Sequence, residues 1–418
     1  MADRPLRCDQ VVIGAGFAGL HCAAALADAG FEVTVLERAS EPMAATSRRN
    51  WGRIHHGWHF AGSLATALES ISCSFDFLEE FADLVPPVPS SACAAGGSSS
   101  WVALAHESFT SRPTLVERAE AMRAHYADEA ARRSVTFGPA EDFFRPLPDT
   151  VWKRYLSPGR VHMAASTLEP FVDLDALADR TVCRAQAHPR VTLLTGHEVA
   201  GAAPAHPGDP HAPVVLQVHT ADGTRTVHAE RVVNASWCSR AALDAAMAAQ
   251  CRGASTEPPS TYRLKVFLRL RLPSALRSHP SCMVIHGPFT VFRNLGDGTA
   301  FADYAPVPNL DVRSRHIPGT WHQALIGQGS LPGDERDLAK RIVHGGDEFV
   351  PGLAASTVLG TVSGVLYNPG DADIHDPSTA MHHRLGTGVK VLSRRWLSLD
   401  TGKLTWVPRL THQVLALS

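Results

Sequence analysis

The stretch VVIGAGFAGLHCAAALADAGFEVTVLER, residues 11–38, opens on β-branched residues, passes the closely spaced Gly14, Gly16 and Gly19 and ends on an acid and a base. Cys8 to Ile13 reads as a strand buried on both faces. Ala18 to Ala29 is small and helix-forming, with Gly30 as its C-terminal stop, and Phe31 to Leu36 reads as a second strand. The glycines therefore fall in the strand-to-helix turn of a βαβ unit. Gly14 permits the tight turn, Gly16 lets the backbone approach a pyrophosphate, and Gly19 lets the helix pack on the sheet. The run Gly14, Ala15, Gly16, Phe17, Ala18, Gly19 is thus the candidate phosphate cradle, because a helix N-terminus offers unpaired N–H groups and a positive dipole. Glu37, at the end of the second strand, is placed to accept from both hydroxyls of a ribose.

An acid at that position fits FAD or NAD and disfavours NADP, and Arg38 directly after it is typical of FAD proteins. Strand, glycines, helix, strand and acid come in the required order, which a chance glycine pattern lacks. The chain of 418 residues suggests two to three domain-sized units. Its net charge of −2 gives no basic surplus, which argues against nucleic acid and anionic membranes as partners. The eight cysteines show no CxxC spacing and read as reduced thiols, not a zinc site or a disulfide frame. The polar start MADRPLRCDQ runs straight into a strand, and no apolar run has membrane-spanning length. A cytoplasmic protein without a membrane span is the expectation.

Further along, EPMAATSRRNWGRIHHGWHFAGS (41–63) is dense in His, Arg and Trp. Leu64, Leu68, Ile71, Phe75, Leu78 and Phe81 then keep helical spacing. VPPVPSSACAAGGSSS (85–100) is low in complexity and reads as a connector or as a lid. A strand at Trp101 to Ala105 and a helix at Leu115 to Ala130 follow. A further helix and a strand at Val191 to Leu194 come next. Val214 to Thr220 and Thr224 to Ala229 form a hairpin around Asp222 and Gly223, and RVVNAS (231–236) reads as another buried strand. Tyr262 to Leu272 alternates basic and apolar residues, as a half-exposed antiparallel strand does, and residues 289–304 form a hairpin. The fold class expected is α/β: a Rossmann-like FAD-binding domain interleaved with an antiparallel-sheet α+β substrate domain. The expected division gives 1–80, 160–250 and 380–418 to the first, and 81–159 and 251–379 to the second.

Four places together resemble the D-amino-acid-oxidase-like FAD oxidoreductases, a superfamily that includes glycine and sarcosine oxidases, glycerol-3-phosphate dehydrogenase and 2-hydroxyglutarate dehydrogenase. They are residues 14–38, TSRRNWGRIHHG (46–57), the strands ending in RVVNAS, and SLDTGKLT (398–405). The resemblance implies FAD as cofactor. It implies Ser47 and Asn50 beside the pyrophosphate or ring, His55 near the isoalloxazine, Val199 and Ala235 along the dinucleotide, and backbone N–H groups of Gly402, Lys403 and Leu404 at the flavin edge. This chain departs from the pattern in having Ser236 where the family often has Gly, and in the bulk of Arg48 and Trp51.

The candidate catalytic residues are His55, His56, Arg293 and Tyr304. The histidines read as acid/base groups or as structural packing, and His55, His56 or His59 as a covalent flavin link. Arg293 and Tyr304, on two arms of one hairpin, read either as a carboxylate clamp or as a surface Arg and a core Tyr. Arg263 and Lys265, alternating on one strand face, read as site residues or equally as a solvated face. Lys403 faces flavin or solvent. NPGDADIHDP (368–377) superficially resembles a flavin-monooxygenase segment, but Asn368-Pro369 signals a turn. The histidine pairs have no acid or cysteine shell at ligand spacing, so no metal is expected. The expected reaction takes hydride from a C–N or C–OH carbon of a small polar substrate (an amino acid, amine or 2-hydroxy acid) to flavin N5, with oxygen or another electron acceptor. A monooxygenase using NAD(P)H and oxygen, and a flavin-binding protein without turnover, are the alternatives.

Overall fold

Val11 and Val12 are wholly buried because neighbours cover both edges of their strand and helices cover its face. The computed structural model describes residues 6–418 apart from 61, 88–99, 210, 251–259, 308–309, 315, 326–330, 332, 369–372, 374 and 385–386. Residues 88–99 of the low-complexity stretch and half of NPGDADIHDP thus lie outside the described residues. Leu6–Ile13, Val33–Leu36 and Val191–Leu194 run parallel, and Phe17–Asp28 is the crossover helix. Gly30 ends that helix at φ +103°, a conformation that favours glycine.

Two sheets carry the chain. The first has eight strands, in the order Gly388–Ser393, Trp396–Asp400, Gly223–Asn234, Leu6–Ile13, Val33–Leu36, Val191–Leu194, with Glu198–Pro204 and Val214–Thr220 attached through Gly223–Asn234. The hairpin arm expected at 224–229 and the buried strand expected at 231–236 are one strand of 12 residues. Its first half pairs with Val214–Thr220, and its second half runs parallel to Trp396–Asp400. The polar residues of its first half marked it as a hairpin and hid the continuation.

Among the described residues the second sheet has nine strands and a single parallel pair, Ser281–Ile285 with Ser100–Ala105. Ser260–Arg271 is its spine, paired with Thr357–Asn368 along one side and with Leu310–Ser314 and Thr299–Tyr304 on the other. Val161–Thr167 also pairs in this sheet, past the boundary expected at 159/160. Along the spine, Tyr262, Leu264, Val266, Leu268 and Leu270 enter a core with Ile342 and Val343 of the helix Glu335–Asp347. Arg263, Lys265 and Phe267 point the other way, because strand side chains alternate. The expectation of a half-exposed strand is corrected here: Arg263 is 2% exposed, since this face covers a cavity and not solvent.

The helix Leu64–Phe81 has the boundaries its spacing predicts, and Ser63 caps it by accepting from the Thr66 N–H. It packs tightly on the segment before it. Gly57 has φ +94°, and a Cβ there would stand 2.5 Å from Ala67 Cα. Gly57→Ala is therefore expected to cost about 2–4 kcal/mol, from left-handed strain plus overpacking. Denaturant midpoints check this; an unchanged midpoint would mean that segment and helix do not touch.

Candidate active site

A cavity of about 350 Å³ runs from the glycine turn of the first sheet to the inner face of the second. Gly14 and Gly16 line it at one end, with Phe17 and Ala18 at the start of the crossover helix. The turn is a cradle that side chains would fill. Gly14 has φ +100°, a Cβ on Gly16 would lie 2.8 Å from Ser47 Oγ, and one on Gly19 would lie 1.9 Å from Gly14 O. The N-cap residue, Gly16, has no side chain to cap the helix, and no acid occupies its first turn, so its dipole favours an anion. Ser47 Oγ accepts from the Phe17 N–H at 3.0 Å and ties residues 46–50 to the turn. These features fit the pyrophosphate of a dinucleotide.

Glu37 lines the cavity, and its carboxylate is already engaged. It accepts from the N–H of Ala15 at 2.7 Å and from that of Ala39 at 2.8 Å. Each oxygen keeps a lone pair for a ribose hydroxyl. Of the other expected cofactor contacts, Arg38, Asn50, His55, Val199, Ala235, Gly402, Lys403 and Leu404 line the same cavity. Ala15 and Gly19 do not; they shape the turn from behind. Gly402 adopts φ +56°.

The four expected catalytic residues do not meet. His55 lines the cavity. His56, its neighbour in an extended segment, points into the core at 0% exposure, with its ring among Tyr126, Phe137 and Phe143. Arg293 and Tyr304 cannot converge: Arg293 pairs with Phe301 and Tyr304 with Thr290, so they leave opposite faces of the sheet. The Tyr304 ring packs on Gly345 of the outer helix, where a Cβ would fall 2.1 Å from it. Arg293 donates to the Trp51 carbonyl and lies 4.3 Å over the Phe171 ring, which occupies it as a fastener.

Other residues take their place. Arg53, Trp237 and Arg384, which the sequence did not single out, line the cavity, as do His59, expected only as a flavin link, and the strand pair Arg263 and Lys265. His59 stands edge-on to His55 at 4.6 Å. Burial, with Lys403 and Arg53 nearby, holds both imidazoles well below their ordinary pKa, so both are neutral. Lys403 is pushed well below the usual lysine range by burial and by Arg384 and Lys265; its Nζ lies 5.2 Å from the Phe60 ring and no carboxylate among the described residues pairs with it. Lys265 pairs with Asp303 at 2.5 Å, and Arg263 donates to Met381 Sδ at 2.9 Å. Trp237 holds φ +47° and donates from Nε1 to Val365 O at 2.7 Å, which ties the first sheet to the second. Arg53 and His59 sit in the dense 41–63 stretch, whose composition was the available signal. For Trp237 the signal was its place directly after the strand end, in NASW.

Among the described residues no cluster of His, Cys, Asp or Glu is arranged to hold a metal, and no helix is long and apolar enough to cross a membrane. A model of the family described as FAD dependent oxidoreductase (DAO) matches residues 9–365. Among solved structures the chain is similar to L-alpha-glycerophosphate oxidase from Mycoplasma pneumoniae with FAD bound, at 16% identity and TM-score 0.67, covering 98% of this chain and 94% of that one. It is also similar to glycine oxidase from Geobacillus kaustophilus, at 15% identity and TM-score 0.62, covering 99% and 94%. L-amino acid deaminase from Proteus vulgaris gives 13% identity and TM-score 0.63, covering 100% and 94%. At such identities the likeness shows the fold. A local match of 35% identity over 78 residues links the chain to the FAD-dependent monooxygenase FPY4 of Fusarium mangiferae; it spans 19% of this chain and 21% of that protein.

His56 gives a test of the buried segment. Burial lowers its pKa from 6.5 to about 3. Above pH 6.5 both folded and unfolded forms are neutral and stability is full. As pH falls below that value, the unfolded chain takes a proton that the fold refuses, and stability is lost by up to about 1.4 kcal/mol per pH unit. His56→Phe, which keeps a ring among the rings, is expected to lower the slope of unfolding free energy between pH 6 and 4 by about one proton. An unchanged slope would place His56 in contact with solvent.

Proposed function

The chain belongs to the FAD-dependent oxidoreductase family, and from that premise we propose that it oxidises a small anionic substrate at a carbon bearing nitrogen or oxygen. The observation that carries this reading is the continuity of the cavity, from the phosphate cradle to a compartment walled by cations and neutral histidines. The residues fit FAD as follows. Gly14, Gly16, Phe17 and Ala18 would hold the pyrophosphate with Ser47 and Asn50, Glu37 the ribose, and Val199 and Ala235 the adenosine end. The 402–404 loop would hold the ring. When bound, FAD supplies the acceptor for hydride from the substrate carbon.

The protein's own groups do the rest. Lys265 and Arg263 offer charge-assisted hydrogen bonds to an anionic substrate group from the sheet face. His55 and His59, neutral in this setting, offer hydrogen bonds without adding charge. Lys403 Nζ, whose pKa burial and neighbouring cations lower, accepts in its neutral form the proton released from the substrate's amine or hydroxyl. The His56, Arg293 and Tyr304 roles are not carried forward: His56 packs the core, Arg293 fastens Trp51, and Tyr304 packs the outer helix.

The test is an anaerobic absorption spectrum with FAD bound, before and after amino acids, amines and 2-hydroxy acids. Bleaching by one class, with peroxide or another reduced acceptor formed on readmitting acceptor, is the expected outcome. Bleaching by NAD(P)H instead would favour the monooxygenase reading, which the local match to FPY4 supports. Flavin that nothing reduces would favour a protein without turnover. Where a substrate bleaches, its reduction rate should rise with pH as Lys403 loses its proton. Lys403→Met should lower the rate by about 10²-fold and flatten that limb; a rate and profile like wild type would remove Lys403 from the reaction.

A further inference from the structure

The inner compartment is walled by flat rings. Trp51 stacks on Phe267 with centroids 4.6 Å apart and planes 27° apart, and both line the cavity. Phe301 braces this pair edge-on, 5.9 Å from Trp51 and 5.4 Å from Phe267. Phe289, on the strand beyond, lines the same cavity beside His59 at 4.8 Å. The wall is fixed in place, because Arg293 holds Trp51 by its backbone carbonyl while the sheet holds Phe267 and Phe301.

Charge stands next to this surface at a defined step. Lys265 and Phe267 are alternate residues on one strand face, about 7 Å apart along the strand. One small molecule spans that step, with an anionic head at Lys265 and a ring against Trp51 and Phe267. A small polar substrate would leave the rings facing water, which gains nothing from them, whereas an offset-stacked ring gains both burial and quadrupole attraction.

We propose that the substrate carries a planar aromatic group, which lies against Trp51 and Phe267 with its anionic group toward Lys265. This rests on the reading of the compartment as the substrate site. The test titrates the FAD-loaded protein with 3-phenylpropanoate and with propanoate, reading the perturbation of the flavin spectrum. Neither acid bears nitrogen or a hydroxyl on the carbon to be oxidised, so the result stands whether or not any compound bleaches the flavin. The expected result is at least tenfold tighter binding of 3-phenylpropanoate, and loss of that preference in Trp51→Ala with FAD retained. Phe267→Leu, which lies outside the 46–50 segment, repeats the test if Trp51→Ala loses FAD. Equal affinities, no perturbation by either acid, or a preference that survives both substitutions would overturn the proposal. Bleaching by small polar compounds alone would also overturn it while leaving the oxidoreductase reading intact.

Discussion

Glu169 has no contact with solvent, yet its carboxylate takes two donors from one short stretch: the backbone N–H of His56 at 2.7 Å and the guanidinium of Arg53. A buried carboxylate is stable only when paired and hydrogen-bonded, and removing one partner of such a pair costs about 3–5 kcal/mol. The pair therefore fixes residues 53–56 between the two sheets. Backbone bonds add to it: Ile54 N–H donates to Pro170 O at 3.0 Å and Val172 N–H to Gly52 O at 2.7 Å. Once this segment is extended and pinned, His55 must face the cavity and His56 the core. Burial in turn raises the Glu169 pKa while Arg53 and the His56 N–H lower it, so the carboxylate depends on the segment as the segment depends on it.

A second buried network closes the other side. Asp244 accepts from Asn234 at 2.8 Å, from Trp396 Nε1 at 2.8 Å and from Ser398 Oγ at 2.5 Å. Arg240, wholly buried, joins Asp244 at 3.1 Å to Asp400 at 3.3 Å. Arg240 and Asp244, on the helix Arg240–Ala248, thus hold Asn234 and Asp400, which end two parallel strands of the first sheet, and Asp400 leads into the 401–404 loop. The loop that lines the cavity thus departs from a rigid platform, and its geometry follows from strand ends that cannot shift singly.

What was legible in the sequence was what spacing alone decides. The Gly14–Gly19 turn, its helix and Glu37 lie within one βαβ unit, so their order in the chain is their order in space. The helix Leu64–Phe81 is likewise set by its own period. The clamp of Arg293 and Tyr304 failed because face depends on pairing register. Phe301 shares a face with Arg293, and three residues along the strand reverse it for Tyr304. For Arg263 and Lys265 the solvated-face reading failed for another reason. Basic residues alternating with apolar ones read as a solvent face, and a strand cannot announce that a second sheet's ligand cavity stands where solvent would be. Phe267, next on that face, was the local sign that the face is covered.

Two cations of the inner compartment share one arrangement, and it bears on what that compartment accepts. Arg53 and Lys265 line the cavity, whereas Glu169 and Asp303, which pair with them, do not. Each carboxylate stands behind its cation. The fold thereby keeps buried cations near neutrality as pairs while presenting only their positive ends inward. A bare cation in the wall would be expensive to bury, and a carboxylate in the wall would repel an anionic ligand. Lys403 differs: it has no ion pair among the described residues, and burial with the neighbouring cations lowers its pKa against the opposing pull of Glu169. Pairing from behind offsets the cost of burying Arg53 and Lys265. Lys403, without such a pair, suits the proton transfer proposed for it, and the difference lies in the layer of side chains behind the wall.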